Sequence, residues 1–78
     1  MKTVKLIISG FVQGIGYRRW FLQEAKKLGI TGWVKNRDDG SVEALVSGNP
    51  EAIEALTTRA RIGPPLAHVT DVHCEVLQ

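Results

Sequence analysis

An α+β sandwich of order βαββαβ, with a four-stranded antiparallel sheet and both helices on one face, is predicted by three features of this 78-residue chain. Apolar side chains recur with period two in four short segments and with a period near 3.6 in two longer ones. Glycine and proline punctuation falls between those segments, at Gly29, Asp39-Gly40, Gly48 and Gly63-Pro64-Pro65. The length allows one domain, residues 1–78, with a thin core: a chain of this size buries only about 60–65% of the surface its unfolded form exposes.

The first strand follows from Val4, Leu6 and Ile8 on one face, with Lys5 and Ser9 on the other. Gly10 to Gly16 reads as a loop. From Arg18 to Leu28, Phe21, Leu22, Ala25 and Leu28 recur at helical spacing, Lys26 and Lys27 suit the C-terminal end, and Gly29 stops the helix. Thr31–Lys35 and Ser41–Val46 form a hairpin across Asn36-Arg37-Asp38-Asp39-Gly40, where Asp-Gly tolerates positive φ. Asn49-Pro50-Glu51 supplies an N-cap, a first-turn proline and an acidic residue for a second helix carrying Ile53, Leu56 and Ala60 on one side. Gly63-Pro64-Pro65 ends it, and Val69–Leu77 makes a last strand with Val72, Cys74 and Val76 together. Two helical crossovers obeying the usual handedness give the ferredoxin-like arrangement. Many unrelated activities occupy that scaffold, so function rests on particular residues.

Composition narrows the classes. Ten Lys and Arg against eight Asp and Glu leave a net charge of +2, too little for a nucleic-acid footprint but compatible with a small anionic ligand. No paired sheet aromatics or basic stripe points to RNA, and Tyr17, Phe21 and Trp33 read as core residues. The run Leu6-Ile7-Ile8 is too short to cross a membrane. Cys74 has no intramolecular partner, shares a face with Val72 and Val76, and is expected to be a small buried group; a monomer in the reducing cytosol is expected. His68 and His73 lie in no recognised metal spacing, so no metal is expected.

The segment Gly10-Phe11-Val12-Gln13-Gly14-Ile15-Gly16-Tyr17-Arg18 joins the first strand to the first helix. Backbone N–H groups at a helix start attract anions, and glycines let several such vectors converge. A guanidinium at Arg18 would add a planar fork of donors suited to phosphate oxygens. On residue types alone, Gly14 and Gly16 are equally consistent with a tight connection, and Arg18 with a solvated surface arginine. Asn36 is likewise consistent with a hairpin corner.

This same segment resembles the acylphosphatase signature Gly-x-Val-Gln-Gly-Val-x-Phe/Tyr-Arg. Gly32-Trp33-Val34-Lys35-Asn36, then Asp39-Gly40-Ser41-Val42-Glu43, resembles the family's hairpin, and Gly63-Pro64-Pro65-Leu66-Ala67 its approach to strand four. The resemblance spans essentially the whole chain. It implies a cofactor-independent hydrolase of small acyl phosphates, with Arg18 and the amides of Gln13, Gly14, Ile15, Gly16, Tyr17 and Arg18 binding the phosphoryl group and Asn36 orienting the attacking water. Ile15 and Tyr17 replace a commoner valine and phenylalanine without changing apolar character. Family members usually continue into a further short strand; a chain stopping at Gln78 would leave strand two with an uncovered edge. The same domain also fronts larger carbamoyl-transfer proteins, so a non-hydrolysing phosphate or carbamoyl-phosphate binding module is the alternative expectation.

Overall fold

In the computed structural model, which describes residues 1–78, the elements are β1 (Lys2–Phe11), α1 (Tyr17–Lys27), β2 (Thr31–Asn36), β3 (Val42–Gly48), α2 (Pro50–Ile62) and β4 (His68–Val76). The strands form one sheet in the order β2-β3-β1-β4, and every neighbouring pair is antiparallel. β1 therefore lies inside the sheet. Its alternation explains why: Val4, Leu6 and Ile8 are fully buried on the helix side, where they meet Val42, Ala44 and Val46 of β3. Such a strand gains most from neighbours on both edges, since its backbone donors are then paired away from water.

The helices cover that face with residues three and four apart. Tyr17, Phe21 and Ala25 of α1, and Ile53, Leu56 and Ala60 of α2, are all buried in the same core. Each large apolar side chain so buried contributes about 1.5–3 kcal/mol. Tyr17 also carries a polar function, because its buried hydroxyl donates to the Ala60 carbonyl at 2.8 Å. Ala60 sits in the last turn of α2, where carbonyls lack an acceptor role within the helix, so the phenol ties the start of α1 to the end of α2. Burial pushes the phenol's pKa well above its ordinary value and keeps the donor proton in place. Tyr17→Phe is expected to destabilise the fold by about 1–2 kcal/mol, because the carbonyl would remain buried without its partner. Urea unfolding with an unchanged m-value and a lowered midpoint is the check.

The element boundaries moved in one consequential place. The loop expected from Gly10 begins only at Val12, because β1 continues through a bulge between Ser9 and Gly10 and pairs Phe11 with His68 of β4. A bulge adds local twist and bend, which re-aims the chain as it leaves the sheet. α1 then starts at Tyr17 rather than Arg18.

Three side chains expected in the core lie outside it. Trp33 is 43% exposed. Its register partner Leu45 and its neighbour Lys35 lie on the face away from the helices, and the Lys35 ammonium stands 5.4 Å from the Trp33 ring centroid. Cys74 shares its side of β4 with Val72 as expected, yet it is exposed: β4 is an edge strand, and Cys74 lines an open hollow between that strand and Ile53, Glu54 and Thr57 of α2. Leu22 is 46% exposed, being on α1 but turned toward the cleft described below. β2 forms the other edge of the sheet. No helix is long and apolar enough to cross a membrane.

Candidate active site

Two helix starts in this chain are treated differently. At α2 the Asn49 side chain accepts from the Glu51 amide at 2.9 Å, and Glu51 places a negative charge in the first turn. The positive end of that helix is thus already answered. At α1 the N-cap is Gly16, which has no side chain to offer, and the first turn holds no acidic residue. The first amide to find a backbone acceptor is that of Trp20, bonded to the Gly16 carbonyl at 3.0 Å, while the amides of Gln13 through Arg19 make no such bond. A continuous run of donors therefore stands open at the N-terminal end of α1.

The loop reaches this shape because Gly14 and Gly16 have φ of +76° and +80°. A Cβ at either position would meet nothing within 4 Å, so the backbone conformation, and not lack of room, is what favours glycine there. Val12 anchors the loop's start in the core, and Ile15 packs partly against it.

Beside this loop lies a shallow cleft of about 390 Å³ lined by Val12, Gly14, Gly16, Tyr17, Arg18, Arg19, Leu22 and Asn36. Arg18 and Asn36, far apart in sequence, thus face one space. The lining includes no acidic side chain, and Arg18 forms no ion pair, so its guanidinium is available to an incoming anion. Asn36 is the last residue of β2 and has an ordinary negative φ. It is not the left-handed corner residue its type would allow; that strain is taken by Gly40, at φ +93°.

The hairpin turn that follows Asn36 is heavily bonded. The Arg37 amide donates to the Ser41 carbonyl at 2.8 Å, and the Gly40 amide to the Arg37 carbonyl at 3.2 Å. Asp39 Oδ1 accepts from the Ser41 hydroxyl at 2.6 Å and the Ser41 amide at 2.9 Å. The hydroxyl bond above all, helped by that amide, holds the Asp39 carboxyl below its usual range, so it stays ionised at neutral pH. Gln13 reaches into the same turn. Its Nε2 donates to the Arg37 carbonyl and to the Ser41 carbonyl, both at 2.8 Å.

The structure accordingly brings together Gly14, Gly16, Tyr17, Arg18 and Asn36 around one cleft, with Gln13 and Ile15 in the connecting loop. Three lining residues were not anticipated: Val12, which stands in the motif without an assigned role, Arg19 and Leu22. Leu22 follows Arg18 by four positions on α1, and that helical spacing was the signal available for it. The engagement of the Gln13 carboxamide had no sequence signal, because its two acceptors are backbone carbonyls. His68 and His73 both lie on β4, and no group of three or more His, Cys, Asp or Glu side chains is gathered to hold a metal.

Comparison with known proteins bears on this arrangement. A family model described as Acylphosphatase matches residues 4–78. A curated acylphosphatase of Thiobacillus denitrificans is 56% identical over 72 residues, covering 92% of this chain and 81% of its own length. The crystal structure of acylphosphatase from Bacillus subtilis superposes with a TM-score of 0.97 at 38% identity, covering 100% of this chain and 87% of that one. The crystal structure of HypF from T. kodakarensis matches all of this chain with a TM-score of 0.86 and 32% identity, over only 10% of its own length.

Proposed function

Since the chain belongs to the acylphosphatase family and is an enzyme of that kind, we propose that its substrates are small acyl phosphates and that the α1 cleft is where they are hydrolysed. The observation that carries this reading is the convergence of unpaired amides, an unpaired Arg18 and a neutral Asn36 on one cleft. All of these groups come from one chain, so the site needs no second copy.

The chemistry suits so sparse a set of groups. An acyl phosphate already has a good leaving group, because the departing carboxylate is a weak base and needs no protonation. Two tasks remain: to neutralise charge on the phosphoryl oxygens, and to hold a water in line with the breaking bond. The amides of Gln13 to Arg18 and the Arg18 guanidinium perform the first, the guanidinium through two parallel N–H donors. The Asn36 carboxamide performs the second: its carbonyl accepts from the water while its NH₂ donates to a phosphoryl oxygen. Water oxygen bonds to phosphorus, the phosphorus to acyl-oxygen bond breaks, and its electron pair leaves with the carboxylate. A dianionic substrate and water become a carboxylate and dihydrogen phosphate, so both water protons end on phosphate and no side chain must store one.

Inorganic phosphate, as product, should occupy the same place. Titrating it into ¹⁵N-labelled protein is expected to shift the amides of Gly14 through Arg18 more than any others, while benzoyl phosphate is hydrolysed at a rate indifferent to chelator. Phosphate binding at those amides without turnover would favour the non-hydrolysing binding module instead. Shifts centred elsewhere would remove the site from α1 altogether.

A further inference from the structure

We propose that Gln13 is a positioning residue for hydrolysis, acting through its side chain to hold Asn36 at a set distance from the phosphate loop. The proposal rests on the reading of Asn36 given above, but it concerns a different group and a different contact. In that reading Gln13 contributes only its backbone amide. The carboxamide points the other way, and both protons of Nε2 are committed at 2.8 Å to the carbonyls of Arg37 and Ser41.

Those two carbonyls are the ends of the hairpin turn. The Arg37 carbonyl also accepts from Gly40, and the Ser41 carbonyl also accepts from Arg37. One donor group thus clips both legs of an already closed turn, and the turn begins at the residue directly after Asn36. The sheet alone leaves this place weakly determined. β1 and β3 are paired from Lys2↔Gly48 to Ile8↔Val42, and past Ile8 there is no β1–β3 pair to hold the loop against the hairpin. β2 is an edge strand, hydrogen-bonded within the sheet to β3 alone, and its final pair is Asn36↔Val42. Beyond that rung, the Gln13 carboxamide is the hydrogen-bonded link between the loop and the turn.

A static clip has a catalytic consequence because water attack is steep in geometry: a misplacement of about 1 Å costs up to roughly a hundredfold in rate. Phosphate affinity is far less sensitive, since it depends on loop amides and Arg18, which remain when the Gln13 side chain is changed. The two effects therefore separate. Loss of the clip lowers kcat and spares binding.

The test is a double-mutant cycle on the full chain with benzoyl phosphate as substrate and inorganic phosphate as competitive inhibitor. Gln13→Leu is expected to lower kcat about tenfold or more, with the phosphate inhibition constant changed less than about twofold. In an Asn36→Ala background the same substitution should change kcat by less than about twofold, because the residue it positions is gone. Gln13→Met keeps the length of the side chain without a donor and adds no charge beside the phosphate loop, and should reproduce the pattern if Gln13→Leu folds poorly. Equal losses in both backgrounds, or a weakening of phosphate as large as the fall in kcat, would overturn the proposal and leave Asn36's role standing. If Asn36→Ala itself keeps full kcat, the water-orienting reading fails, and the clip with it.

Discussion

Arg18→Ala is expected to lower kcat by about 10²–10³ and to raise KM, the largest effect of any single substitution in this chain. That range is the loss typical of removing one preorganised donor aimed at developing charge. Arg18 earns it by position: it opens the second residue of α1, where the helix has neither a capping side chain nor an acidic neighbour. On the proposed reading the guanidinium and the amides act on the same oxygens, and deleting the former leaves the latter to hold a dianion alone. Arg18→Lys should recover only part of the loss, because an ammonium keeps the charge but not the two-donor fork. Steady-state kinetics on benzoyl phosphate, with phosphate inhibition alongside, measures both variants. An alanine variant with undiminished kcat/KM would detach the phosphoryl group from Arg18.

Asn36→Ala is expected to give a fall in kcat of the same order but with a different signature. Phosphate inhibition should change less than about threefold, because on the proposed reading the group lost serves the water more than the anion. The split between the two variants is the informative result: one loses binding and rate, the other rate alone. Asn36→Asp offers a sharper version. The carboxylate still accepts from water but cannot donate to a phosphoryl oxygen, and its charge opposes a dianion, so both kcat and phosphate affinity should drop. Equal behaviour of the alanine and aspartate variants toward phosphate would argue that Asn36 stands clear of the anion.

Much of this site was legible before any coordinates. Arg18, Gly14 and Gly16 sit in a signature whose glycines take the positive φ expected of them. The Asn49-Pro50-Glu51 start of α2 was legible for the same kind of reason, since capping is a matter of a few consecutive residues. Trp33, Cys74 and Leu22 show the limit. Alternation reveals which side of a strand or helix a residue occupies, but whether that side is covered depends on how far another element extends over it. Cys74 is on the inward side of β4 and still meets solvent. Trp33 belongs to the open side of an edge strand.

Local interactions, reaching no more than about four residues along the chain, are encoded by residue type and spacing, and they determined the elements, their order and the helix start left open to an anion. Distances between segments depend on strand register, on the bulge before Gly10 and on which carbonyls a side chain such as Gln13 happens to meet. Only the folded chain decided that Asn36 would share a cleft with Arg18 and that a glutamine would clip the hairpin beside it. The physical reason is that backbone carbonyls are the same at every position, so a contact made to them leaves no mark in the sequence of the residues that supply them.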